Sequence, residues 1–181
     1  MGLDMYMSKK TYVKQWSHNK PEDQFNVDIK KGGEPFSPIK KERVSYVVEE
    51  VAYWRKFNAL HNWFVNECGD GEDNCQEIYI GEKLPELLET LYEVKEVYEN
   101  SPKKKVQVKS GWSNGEETFY EVEVPEDTDT LDDLFPTASG FFFGGTEYDE
   151  YYIEQVNETI ELIEGLLKED ENGDYYYQAS W

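Results

Sequence analysis

Leu3, Met5 and Met7 alternate with Asp4 and Tyr6 in the run GLDMYM, which predicts a half-buried strand at the start of the chain. Similar spacing resumes over Tyr12 to Trp16. Ser17 to Lys41 is polar and broken by Gly32-Gly33, Pro35 and Pro38. Within it Phe25 to Ile29 is a further candidate strand, and a fold-back hairpin or an ordered loop describes the region equally well. From Val44 to Asn66 no Gly or Pro intervenes, and Val47, Val51, Trp54, Asn58 and His61 recur at spacings of three and four. That pattern predicts one long central helix. It is apolar around most of its circumference, which places it in the interior. Glu49, Glu50, Arg55, Asn58, His61 and Asn62 would then need partners, as a structural hydrogen-bond network or as a site.

Beyond it, Gly69 and Gly71 stop the helix, and Ile78 to Ile80 is a short candidate strand. Pro85 suits a first helical turn, and Leu87, Leu88, Leu91, Val94, Val97 and Tyr98 carry an apolar stripe to about Asn100. Two alternating segments around Asn114-Gly115 predict a β-hairpin over about 102–124, appended to the main body. Pro125 to Leu134 reads as an acidic loop, and Phe141-Phe142-Phe143, bracketed by glycines, as a short strand or turn pressed into the core. Thr146 followed by Asp149 is close to a capping box for a helix to about Leu167. Asp174 to Trp181 reads as a closing strand that pairs with the N-terminal one and covers the central helix. The expected class is α+β: one domain over 1–181, with three principal helices against a small, mostly antiparallel sheet.

Composition narrows the class. A chain of 181 residues suits one domain, and 15% aromatic residues is too rich for a disordered acidic protein. No apolar run approaches the ~18 residues of a membrane span. No basic segment followed by an apolar one opens the chain, so a cytoplasmic protein is expected, with Cys68 and Cys75 as free thiols. The acid spacing over 67–75 is only faintly like a calcium loop, since the closing Glu is missing, and no metal site is expected there.

Charge changes the picture most. The formal net charge is −21. Residues 1–60 hold eleven Lys and Arg against eight Asp and Glu, whereas 61–181 hold seven against thirty-one. Such a field disfavours free DNA, because phosphate binding needs cations. It favours a partner with a basic surface and speeds the encounter. The candidate partner-binding residues are Glu86, Glu89, Glu93 and Glu96 on one predicted helix, and Glu147, Glu154, Glu158 and Glu161 on or beside another. The plainer explanation of the charge is solubility.

No phosphate loop, dinucleotide fingerprint, HExxH or Gly-x-Ser-x-Gly is present. An RNA-cleaving site needs a general base, a general acid and a cation for the phosphorane. His61, Arg55 and Asn58 with Asp149 or Glu150 are the candidates, without a cofactor; a divalent metal held by carboxylates is the alternative route. Against this stands a structural role, with Arg55 paired to an acid and His61 bonded to a backbone carbonyl.

The segments MGLDMY, EEVAYWRKFNALHNWFV, PTASGFFFGGTEYDEYY and YYYQASW together resemble a family of small phage and prophage proteins. The stretch 101–124 lies outside that resemblance, and no activity is carried by it. By analogy of size and charge, the chain is similar to type II-A anti-CRISPR proteins, which inhibit Cas9. That likeness implies an anti-defence protein in the host bacterial cytoplasm, acting on a Cas9-type effector or its guide RNA complex. Two other functions stay open: an RNA-trimming enzyme built on the candidate site, and an accessory phage protein that binds another host factor.

Overall fold

A computed structural model describes residues 2–113 and 115–181. Along the chain come β1 (Asp4–Tyr12), a short ladder of β2 (Lys30–Lys31) and β3 (Glu34–Pro35), and β4 (Tyr46–Arg55). Then follow α1 (Asn58–Cys68), β5 (Ile78–Tyr79), α2 (Leu84–Asn100), β6 (Lys103–Ser113) and β7 (Glu116–Pro125). The chain ends with α3 (Thr128–Leu134), α4 (Glu150–Glu169) and β8 (Tyr175–Ser180). The class is α+β, with an antiparallel sheet of order β4-β1-β8-β5.

Alternation decides which sheet face is buried. Met5 and Met7 of β1, Trp54 of β4 and Tyr175, Tyr177 and Ala179 of β8 point into one core. Tyr6 and Tyr53 meet on the outer face. Helices α1, α2 and α4 supply Leu60, Phe64, Leu87, Leu91, Val156 and Ile163 to the same core. Polar side chains tie the layers together: Trp54 Nε1 donates to Thr159 Oγ1 at 3.0 Å, and Tyr175 Oη to the Leu166 carbonyl at 3.1 Å. The closing strand pairs with β1 from Asp4↔Ser180 to Lys9↔Tyr175, and Tyr177 stacks on Phe64 of α1 with centroids 4.4 Å apart.

The predicted central helix is half strand. Tyr46 to Arg55 pairs with β1 from Tyr12 to Asp4, and helix begins only at Asn58. Val47, Val48 and Val51 are β-branched and suit a pleated surface better than a helix. Lys56, at φ 60°, turns the chain between the two elements. The spacing of Val47, Val51 and Trp54 mimicked a helical stripe. In fact Trp54 is buried while Val47 and Val48 are exposed.

Smaller differences follow the same logic. Thr128 to Leu134, inside the stretch expected to be a loop, is helix α3: Asp127 accepts from Thr130 N at 3.1 Å as its cap, and Leu131 is fully buried. Helix α4 is capped by Asp149, which accepts from Tyr152 N at 3.1 Å, and not by Thr146. The first strand stops at Tyr12, so Tyr12 to Trp16 is not a second one. Phe25 to Ile29 forms no strand; the fold-back lies at β2–β3 around Gly32-Gly33. Of the three phenylalanines, Phe143 is 8% exposed and in the core, but Phe141 is 94% exposed. The hairpin β6–β7 is present; Asn114 of its turn signal lies outside the described residues, and Gly115 has φ 86°.

Candidate functional site

Four of the five candidate catalytic residues fall at two places, and Arg55 lies apart from both. His61 lies on the inward side of α1, 2% exposed, with the edges of Phe143 and Trp181 against its ring. Its Nδ1 is 2.7 Å from Tyr177 Oη. Burial raises the Tyr177 phenol well above its ordinary range, so it stays protonated, and we assign its O–H as donor to Nδ1. Nε2 then carries the ring proton and faces Asp73 Oδ1 at 3.1 Å, close enough for an ion pair but without hydrogen-bond alignment. Burial holds the imidazole below its ordinary pKa, and the Asp73 carboxylate opposes that shift. The hollow beside this cluster measures about 10 Å³, too small for a nucleotide and at the lower limit for one water.

Asn58, one turn earlier, is saturated by backbone. Its Nδ2 donates to the Phe143 and Gly145 carbonyls at 3.1 and 2.7 Å, and its Oδ1 accepts from Ala138 N at 3.0 Å. It therefore pins the 138–145 loop onto α1. Gly144 sits there at φ 92° with Lys56 Cβ 3.2 Å from where a side chain would begin, so only glycine fits the approach. Arg55 points away from both places: its Nε lies 3.8 Å from Asp4 Oδ1, and its carbonyl accepts from Tyr151 Oη at 2.7 Å.

Asp149 opens onto a cleft of about 240 Å³ at the start of α4, walled by Tyr120 of β7, Tyr151 and Glu147, with Lys56 and Asn58 at its back. A second, larger hollow of about 770 Å³ shares Asp149 and Tyr151 with it. Glu121 and Glu123 of β7 form one wall of that hollow, Glu150 and Glu154 of α4 the other, and Tyr98 and Lys103 also line it. The two hollows make one groove between the hairpin and α4. Burial raises the Tyr120 phenol, with Glu147 and Asp149 adding to the shift; for Tyr151, burial again leads, followed by Glu158 and Asp149. Among the described residues no three His, Cys, Asp or Glu side chains gather closely enough to hold a metal ion.

The candidate partner-binding residues stay on the surface. Glu86, Glu89, Glu93 and Glu96 lie on the side of α2 opposite Leu87, Leu91 and Val94, and Glu154, Glu158 and Glu161 on the side of α4 opposite Val156, Ile160 and Ile163. The helices adjoin, and the Tyr92 hydroxyl donates to Glu164 across their outer edge. Glu86 pairs with Lys83 at 2.7 Å. Among the described residues the other six have no cation within 4.0 Å. Glu147, half-buried, belongs to the cleft.

Sequence reasoning missed Asp73 and Tyr177 as the partners of His61, and Tyr120, Glu121, Glu123 and Lys103 as groove residues. Asp73 lay in a loop read as a helix stop with a faint likeness to a calcium loop, and the hairpin was read as an excursion. Its alternation gave no sign that β7 would face α4. No family model, curated protein or solved structure matches this chain. No helix among the described residues is long and apolar enough to cross a membrane.

Proposed function

We propose that this chain is a phage or prophage anti-defence protein that inhibits a Cas9-type effector by seating its acidic surface against the effector's basic nucleic-acid channel. One observation carries the binding part: two adjoining helices each turn a row of carboxylates outward, most of them with no cation of their own among the described residues. Carboxylates left unpaired on a surface keep their field for a partner. The identity of the partner rests on the segments at both ends and in the centre of the chain that resemble phage proteins, and on the likeness in size and charge to Cas9 inhibitors. An occluding binder also asks nothing of His61, whose ring is sealed behind Trp181 and the Asp73 loop.

The test is target cleavage by a guide-loaded Cas9-type effector, with the guide RNA followed on a denaturing gel. The expected result is blocked cleavage with the guide intact, the block weakening as salt is raised. A shortened guide would replace occlusion by RNA processing. Unchanged cleavage would remove this effector as the partner.

A further inference from the structure

We propose that the groove between β7 and the start of α4 anchors that interface by taking arginine or lysine side chains from an extended basic segment of the partner. The inference rests on the binding reading above and gives it a place and a chemistry. Carboxylates stand on both walls, Glu121 and Glu123 on one and Glu147, Asp149, Glu150 and Glu154 on the other. Between them Tyr120 and Tyr151, each about half exposed, offer aromatic faces of the kind on which a guanidinium or ammonium rests.

The groove already holds one such cation. Lys103 Nζ sits 3.5 Å from the centroid of the Tyr98 ring and donates to the Tyr98 carbonyl. Burial lowers the pKa of this ammonium, while Glu123 and Glu99 support its charge. The chain thus shows, with its own lysine, the aromatic contact a partner's cation would make, within the field of the groove carboxylates. Lys56 does not fill the cleft: its Cβ and Cδ lie against Gly144 and its Cε reaches toward Gly2. The two hollows join at Asp149, so a strand-like segment would present basic side chains at alternate positions, about 6–7 Å apart, one to each hollow. Phosphate is excluded by the same carboxylates, which makes the occupant a peptide and not a nucleic acid.

The experiment titrates isotope-labelled full-length protein with a blocked Gly-Arg-Ala-Arg-Gly peptide, and with the same peptide carrying citrulline for arginine. Amide shifts are expected at 119–123 and 147–154 with the arginine peptide alone. A variant combining Glu123→Gln, Glu147→Gln and Asp149→Asn should bind about tenfold more weakly, the Asn keeping the helix cap. The combination Glu89→Gln, Glu93→Gln and Glu96→Gln removes as many charges from α2 and should change affinity less than about threefold. Equal weakening in both variants, shifts spread over 86–96, or equal binding of the citrulline peptide would overturn the groove. So would binding of spermidine that matches the arginine peptide. If the groove variant inhibits the effector as fully as the wild type, the anchor is wrong and the occlusion reading stands. If the wild type fails to inhibit, the function reading falls while the titration still judges the groove.

Discussion

Asn58 and Asp149 line the same cleft, yet one is closed and the other open. Asn58 spends all three of its hydrogen bonds on loop backbone, and His61, one turn on, is held by Tyr177 and faced by Asp73. Asp149 uses one oxygen as a helix cap and shares the groove with Glu147 and Glu150, which have no cation within 4.0 Å among the described residues. Polar residues inside a core are there because each has a partner; those lining a concavity without partners are available to something else. The difference separates residues held by the architecture from those left available better than residue type does, since histidine was the more attractive catalyst in the sequence.

The largest effects are expected at the loop that Asn58 secures. Phe143→Ala should cost about 3–5 kcal/mol in urea unfolding, because it empties a core position against His61 and Trp181. A loss below about 1 kcal/mol would mean the loop is not part of the core. Asn58→Ala should cost about 3 kcal/mol, since it strands two carbonyls and one amide.

His61→Phe should cost about 1–2 kcal/mol by leaving the Tyr177 hydroxyl without its partner. It should also change how stability depends on pH. The folded pKa of His61 lies below its ordinary value of 6.5, so below that value the unfolded chain binds the proton more readily. The stability tied to His61 is therefore complete above the unfolded pKa and is lost as pH falls from there toward the folded one. The wild type should lose its advantage over the Phe variant as pH falls through and below 6.5. Parallel pH profiles would contradict a buried neutral imidazole.

At the open end of the comparison effects on stability shrink. Asp149→Ala should cost about 1 kcal/mol through the lost cap, and Asp149→Asn only a few tenths. Phe141→Ser, two positions from Phe143 but exposed, should stay within about 0.5 kcal/mol. A larger loss from Phe141→Ser would place that side chain in a contact the isolated chain does not have.

Much of this architecture was legible from periodicity. Met5 and Met7, the stripes of α2 and α4, and the pairing of the closing strand follow from alternation and 3.6-residue spacing. The β4–α1 boundary was not, because Val47, Val51 and Trp54 satisfy helical spacing while their β-branched and aromatic character suits a strand equally well. What ends the strand is the backbone of Lys56, an ordinary residue at positive φ that no local signal announces. The outward glutamates could be placed for a related reason: a solvated helix face is local. The groove could not, because it depends on where a two-stranded hairpin comes to rest against a helix some thirty residues away in sequence. Long-range packing of that kind leaves no trace in spacing.

The proposed binding mode is the action of an acidic surface, by charge, on a basic partner. Its most direct measurement is the affinity for the guide-loaded effector between about 0.1 M and about 1 M salt, for wild type and for the variant carrying Gln at Glu89, Glu93, Glu96, Glu154, Glu158 and Glu161. Steep weakening of the wild type with salt is expected, with a much shallower dependence in the variant from a weaker starting point. Affinity indifferent to salt, or equal in the two proteins, would contradict it.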